Sequence, residues 1–538
     1  MNLQESNAQL VIKRYQKNEK PFAHCLICST APLNAESHYR NDLSSKVSLD
    51  SSYPIAVIKR VLRDFIKAKW GESGKDVLNK ISIVLDIHGF NVPFKSLEEN
   101  TFEPLAKKFE ADVAKKNIED FEDFVLFINF SWSSEPIIKS KCIEWLEPIQ
   151  AMPLMLWIFL ITGISTAFFW SNPLSSLALI LVGMVVCLIF LRLAVYFRDR
   201  DRAANYGVFD AVELVRWIQV ILKEIILEEN INNNEHLELY GRANLSFIAH
   251  SVGCFVATHT IRVLSDVFDK SAIERWKKNS PDGPFGENPK PTENIEKDEE
   301  IQNLGDFFSL KTLVIASPDI PIWAITTGRS NFLQSCLRRF KEVYLFTNDA
   351  DMILRLASTA ANFFMFPSNS RVGGYRLGNL TITQERKYGV SNLSNDALGV
   401  RSLIHFISLK EKPFYCETDV NKSFTIFDCT DYKDKFVDNK SYPSSKRLLS
   451  AFTANNSFTA FFNYILTAIR HFSGICRVDS HGGYFKGKFC LDLIYSLALY
   501  GKKADQNKCN EKWKQELKDH QMAWIEANDS RDCNTTKK

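Results

Sequence analysis

The sequence predicts an α/β fold, a mainly parallel sheet with helices on both faces, carrying an inserted two-helix transmembrane hairpin. Three observations carry that expectation. Short apolar, β-branched runs alternate with helically spaced segments along most of the chain, as in successive βα units. Most of these runs end in small and polar residues, where such sheets place their active groups. Finally, no charged residue occurs between Glu147 and Arg192, and a charge-free run of that length is rare in a soluble domain.

Taken in order, Met1 to Gln16 is polar and charged, with no signal peptide. Phe22–Thr30 reads as a first strand, followed by a polar Asn/Ser-rich loop. Cys25 and Cys28 in it form a lone C-x-x-C. Without a second pair at zinc spacing, a buried strand with two thiols is expected, and no metal site. Ile55–Trp70 has helical spacing with Lys59, Arg60, Arg63, Lys67 and Lys69 on the polar side. That is a solvated surface helix, or one resting on an anionic membrane surface. Ile81–Ile87 reads as a strand buried on both faces and ends in His88-Gly89-Phe90-Asn91. Ser96–Lys116 reads as a helix. Phe124–Phe130 is the next strand, ending Ser131-Trp132-Ser133-Ser134.

Ala151–Trp170 and the run from Leu177 past Leu191 flank the turn signal Ser171-Asn172-Pro173-Leu174. Each limb is about 20 residues, one bilayer crossing. Lys139 and Lys141 precede the pair, and Arg192, Arg198, Arg200 and Arg202 follow it. That flank places both ends, and the rest of the chain, on the cytoplasmic side.

Beyond the hairpin, Tyr206–Glu229 is a long amphipathic helix. Asp269–Gly305 is rich in Pro, Gly, Asn, Lys and Glu, as expected of a mobile insertion. Leu310–Ala316 is a strand ending Ser317-Pro318-Asp319, and Phe332–Phe340 is helical. Val343–Phe346 is a strand ending Thr347-Asn348-Asp349-Ala350-Asp351. Ile353–Phe364 is helical, and residues 366–400 are loop. Ser423–Phe427 is the last strand. An inserted helix at Ala451–Phe472 precedes Asp479 through Phe485, and a final helix runs from about Gly487 to Tyr500.

The candidate site centres on residues 244–263. The apolar run Leu245–Ile248 meets Ala249-His250-Ser251-Val252-Gly253, and an apolar-periodic segment follows. Strand, sharp turn and helix would lift the Ser251 hydroxyl into the open and aim the Val252 N–H where an oxyanion forms. Ala249 and Gly253 are small because the turn is tight and the helix packs close. Alone, the pattern also fits a serine capping a helix. Its company is what points to catalysis: His88-Gly89 after an earlier strand, Asp349 and Asp351 after a later one, and His481 later still.

The 538-residue chain is 45% apolar and 24% charged, with net charge +3, ordinary for a globular protein. No dense basic tract with interleaved aromatics occurs, which argues against nucleic acid as a partner. Twelve scattered cysteines suit a reducing compartment.

The pieces His88 through Asn91, Phe130-Ser131-Trp132, Ala249 through Gly253, Ala316 through Asp319, Asn348 through Ser358 and His481 through Phe485 resemble the α/β-hydrolase superfamily. More closely, they look like a bacterial esterase/lipase-like branch of mostly unknown substrate. The resemblance spans residues 80–500. It implies Ser251 as nucleophile and His481 as general base, with Phe90 and Val252 as oxyanion-hole donors. It implies Asp351 as the acid, with Asp349 and Asp319 as alternatives, Asp319 being likelier structural. Among the other histidines, His88 sits in the oxyanion slot, His250 packs under the elbow, and His471 on the inserted helix is the main rival to His481. No cofactor and no metal are implied.

The expected organisation is a hydrolase domain in two parts, residues 1–147 and 198–500, around a transmembrane hairpin at 148–197. The second part holds a flexible insertion at 269–305 and a helical one at 433–480, and 501–538 is a polar tail. The expected function is that of a membrane-anchored serine hydrolase acting on carboxylic esters, lipids and acylated molecules included. An acyltransferase or thioesterase would use the same residues. A non-catalytic membrane-tethered module, pairing copies through the hairpin, is the third reading.

Overall fold

The computed structural model describes residues 10–17, 22–29, 54–89, 124–132, 196–229, 241–264, 304–326, 332–354, 376–382, 390–391, 424–435, 446–452, 462–463, 466–467, 470, 478–501 and 510–527. Among these, nine strands form one sheet: β1 (Leu10–Lys17), β2 (Phe22–Ser29), β3 (Ile81–Ile87), β4 (Phe124–Ser131), β5 (Ala243–His250), β6 (Phe308–Ala316), β7 (Glu342–Thr347), β8 (Thr425–Asp428) and β9 (Ala523–Ile525). Their spatial order is β1-β2-β4-β3-β5-β6-β7-β8-β9. The strands from β2 to β8 are parallel throughout, and β1 and β9 close the two edges in antiparallel pairing. The fold is thus a mostly parallel α/β sheet.

The central strands are predominantly apolar because both faces are covered. Ile83, Leu85 and Ile87 of β3 pack on the side of α1 (Pro54–Ser73), α2 (Val208–Glu229) and α3 (Val252–Val263). Val84, Phe127, Ile248, Val314 and Phe346 face the other way, against α4 (Lys488–Tyr500) and Leu517 of α5 (Asn510–Asp519). The alternation is the two-residue period of a strand.

α1 buries Ile58, Val61, Leu62 and Phe65. Its polar side is not simply solvated. Lys59 reaches Glu224 at 2.5 Å and Glu228 at 3.0 Å, and Arg63 pairs with Glu228. Such half-exposed pairs contribute about 1 kcal/mol at most; they register α1 on α2, while the apolar face holds it there.

Three stretches depart from expectation. The polar N-terminus supplies β1, and the charged tail supplies α5 and β9. β1 and β9 are edge strands, which tolerate polar side chains on the solvent side. The loop expected at 366–400 contains a two-residue ladder, Leu380–Thr381 with Val390–Ser391. The predicted helix at 96–116, almost all of the hairpin, most of the 269–305 insertion and most of the inserted helix at 451–472 lie outside the described residues. Among the described residues no helix is long and apolar enough to cross a membrane.

The chain leaves β3 for β4 on one side, while β5, β6, β7 and β8 follow on the other. The strand order therefore reverses between β3 and β5. A crevice opens at the carboxyl ends of strands at such a point. Pairing brings those ends level, with Ile87 beside Ala249, His250 beside Ala316, Ala316 beside Phe346 and Thr347 beside Asp428.

Candidate active site

Ser251 sits between β5 and α3 with φ 54° and ψ −122°. A non-glycine residue there carries strain, roughly 1–3 kcal/mol, and the neighbours impose it. The Ser251 N–H donates to the Ala316 carbonyl at 3.0 Å, and its carbonyl accepts from Asp319 N–H at 3.2 Å and Cys254 N–H at 3.1 Å. A Cβ on Gly253 would stand 2.4 Å from the Ile87 oxygen and 2.5 Å from that of His88. Only glycine lets α3 begin that close to the end of β3. Likewise a Cβ on Gly89 would lie 2.9 Å from the Ser251 Cβ, so Gly89, two residues beyond β3, packs directly against the serine.

The structure brings three of the predicted residues together. His481 Nε2 stands 2.8 Å from Ser251 Oγ, and His481 Nδ1 stands 2.7 Å from Asp351 Oδ2. Asp351 is fully buried. Its Oδ1 accepts the backbone N–H groups of Ile353 at 3.0 Å and Leu354 at 3.1 Å. Ser251 is 2% exposed. Burial opposes the charged form of His481, but the Asp351 carboxylate outweighs it, helped by Asp479 and Asp319, and raises the imidazole's pKa.

The two alternative acids lie elsewhere. The backbone N–H of Asp349 donates to Thr430 Oγ1 at 3.0 Å, while His481 Nδ1 turns to Asp351. Asp319 is buried in an ion pair, with Arg376 Nε at 2.6 Å and the Tyr196 hydroxyl on its other oxygen. Burial alone would raise its pKa, yet the Arg376 and Arg200 guanidiniums and that hydroxyl hold it below the ordinary value.

Two further histidines, His250 and His88, brace the site. His250 Nε2 donates to the His481 carbonyl at 2.9 Å, tying the elbow to the histidine loop. Burial, with His481 close by, drops its pKa to about 4, so it stays neutral. His88 stacks on Trp132 at 5.5 Å, and Trp132 Nε1 donates to the His88 carbonyl at 2.9 Å. Burial lowers the His88 pKa to about 4. Both contacts hold the loop in which Phe90 would donate to an oxyanion. Phe90 itself and His471 lie outside the described residues. Val252 opens α3, where an N–H has no acceptor within its own helix. Among the described residues, no group of three His, Cys, Asp or Glu side chains could hold a metal ion. Cys25 and Cys28 are buried free thiols in β2.

Sequence reasoning missed the residues that join the two loops. Asn348 Nδ2 donates to the Ser480 carbonyl at 2.7 Å and the Leu449 carbonyl at 3.2 Å, while its Oδ1 accepts from Ala350 N–H at 3.0 Å. Asn379 Nδ2 reaches the carbonyls of Asn348 and Asp351. Asn348 was visible only as a strand-end residue in a turn-forming Asn-Asp pair and as the start of the resembling piece Asn348 through Ser358, with no role attached to it. In comparisons with family models, curated proteins and solved structures, none matches this chain.

Proposed function

We propose that this chain is a serine hydrolase that cleaves carboxylic esters through an acyl-enzyme. The single observation behind the proposal is the relay from Asp351 through His481 to Ser251, with contacts of 2.7 and 2.8 Å at the strand-order reversal. A serine hydroxyl is a weak nucleophile until a base takes its proton. His481 Nε2 is in place to take it while Ser251 Oγ attacks the ester carbonyl, and Asp351 holds the proton on Nδ1 and stabilises the imidazolium. The tetrahedral oxyanion would receive the N–H of Val252 and, in this reading, that of Phe90. His481 then returns the proton to the leaving alcohol as the C–O bond breaks. Water, deprotonated by His481, releases the acid and restores Ser251.

The same proposal anchors the enzyme in a membrane through the hairpin at 148–197, with the catalytic part on the cytoplasmic side. Support comes from the uncharged run between Glu147 and Arg192 and its Lys/Arg flanks. An ester held at the bilayer surface, a lipid or acylated molecule, suits that placement.

The test is labelling by a fluorophosphonate, which phosphonylates an activated serine. Wild type should be labelled at one site. Ser251→Ala should lose labelling and ester hydrolysis while melting like wild type, since one hydroxyl is removed. Labelling of the Ala variant at the wild-type rate would end the assignment.

A further inference from the structure

Ser317 follows β6 as the first residue of the loop that ends in Asp319. It is fully buried and has φ 46°, a positive value shared among the described non-glycine residues only with Ser251 and Gln521. Its N–H donates to the Phe346 carbonyl at 2.9 Å. On its other side a Cβ on Gly378 would come within 2.7 Å of the Ser317 carbonyl carbon, so the backbone is clamped in this conformation. Glycine would adopt it without strain, yet a serine stands there.

The hydroxyl gives the reason. Ser317 Oγ donates to Asp351 Oδ2, the same oxygen that faces His481 Nδ1, and lies 3.4 Å from Nδ1 itself. The carboxylate therefore has both oxygens held, Oδ1 by two backbone N–H groups of its own turn and Oδ2 by Ser317 and His481. The two donors on Oδ2 come from loops far apart in the sequence. A carboxylate held by backbone bonds at one oxygen alone can still pivot about that edge. The Ser317 hydroxyl blocks the pivot and leaves Oδ2 aimed at Nδ1.

We propose that Ser317 is a positioning residue of the relay: its hydroxyl, presented from a strained backbone, sets the direction and strength of the Asp351–His481 hydrogen bond. The inference rests on the hydrolase reading above. It departs from what the Asp–His–Ser contacts alone imply, because it assigns a catalytic consequence to a residue that touches neither substrate nor nucleophile.

Removing the hydroxyl should have two effects. The carboxylate loses one constraint, so the productive relay forms less often and the maximal rate falls. Its Oδ2 also shares its charge with one hydrogen bond fewer and pulls harder on the His481 N–H, so the imidazole keeps its proton to higher pH. The charged groups facing His481 keep their partners, Asp479 with Lys486 at 2.6 Å and Asp319 with Arg376, while His250 and the buried Tyr484, which lies against both Ser317 and Asp351, stay neutral. A shift of the acidic limb is therefore attributable to Asp351 and Ser317.

The experiment measures the fluorophosphonate labelling rate of the full chain against pH for wild type, Ser317→Ala and Ser317→Gly. Both variants should label about 10-fold more slowly on the plateau, with the acidic limb moved upward. Glycine relieves the backbone and alanine does not, so similar losses in both assign the effect to the hydroxyl. A glycine variant with the wild-type plateau and limb would overturn the inference while wild-type labelling leaves the hydrolase reading standing. A wild type that is never labelled would overturn both. If Ser317→Ala does not fold, Ser317→Gly decides alone, since φ 46° suits it.

Discussion

Replacing Asp351 with asparagine tests the relay most sharply, because the structure says which bonds survive. The amide oxygen can keep the position of Oδ1 and its bonds from Ile353 at 3.0 Å and Leu354 at 3.1 Å. The amide nitrogen then replaces Oδ2 and meets two donors, His481 Nδ1–H and the Ser317 hydroxyl. The hydroxyl can rotate and accept one amide hydrogen. The imidazole can accept the other only by moving its own proton to Nε2. Every polar group stays bonded, and what is lost is the extra strength the charge lends to four bonds, about 1 kcal/mol each at most. Stability should fall by about 2–4 kcal/mol. Activity should fall far more, because Nε2 now presents a hydrogen to Ser251 Oγ and cannot take its proton. The comparable change in a serine protease costs roughly 10⁴-fold. The assay pairs ester turnover with a thermal melt for Asp351→Asn, Asp349→Asn and Asp319→Asn. Asp349→Asn should stay within about 10-fold of wild type. Asp319→Asn should chiefly lower stability, by about 3–5 kcal/mol, since it strips a buried guanidinium of its charge partner. A larger turnover loss in Asp349→Asn than in Asp351→Asn would refute the reasoning, whatever the melts show.

Three further outcomes are expected. Gly253→Ala forces a Cβ to within 2.4 Å of the Ile87 oxygen; backbone cannot yield there, so a loss of about 3 kcal/mol in chemical denaturation should accompany slower labelling. The acidic limb of the wild-type pH–rate profile should lie above 6.5, because the base form is needed and His481 is raised from that value; a limb below it would contradict the Asp351 contact. The stability that His481 contributes runs the opposite way, being complete below 6.5 and lost as pH rises through its folded pKa. Finally, the chain should fractionate with membranes, deletion of residues 151–191 should release it, and a cysteine at position 172 should react with an impermeant thiol reagent from outside intact cells; retention of the deletion variant on membranes would move the anchor elsewhere.

Much of the sheet could be read from the sequence, and the reason is burial on both faces. Ile81–Ile87 and Phe124–Ser131 are mostly apolar because helices cover each side; Ser82, Asp86, Asn129 and Ser131 interrupt them without breaking the pattern. The edge strands escaped for the opposite reason. Leu10–Lys17 carries three basic residues and Ala523–Ile525 is three residues long; each is a strand only because a neighbour offers its free edge. At the site, Ser251 and His481 stood out by local chemistry, a tight turn between small residues and a glycine-rich loop. The acid did not. Asp319, Asp349 and Asp351 all follow strand ends, and what separates them is how two turns fold back, through Asn348 to Ser480 and through Arg376 to Asp319. Ser317 stood in the sequence only as part of a strand end, with no sign of a role of its own, since its importance comes from a left-handed backbone and a contact across 34 residues.

On the proposed hydrolase reading, the hold of β6 on Ser251 has a consequence for when a working site comes into being. Both backbone groups of Ser251 are bonded to the 316–319 segment, which leaves the ribosome well after the elbow does. Until that segment docks, residue 251 lacks two of the three backbone bonds that hold it in its strained conformation. The acid arrives later with residue 351 and the base later still with residue 481. A growing chain therefore carries no working site through most of its synthesis, and a fragment ending before β6 would be inert even with its serine, its glycine and its first four parallel strands in place.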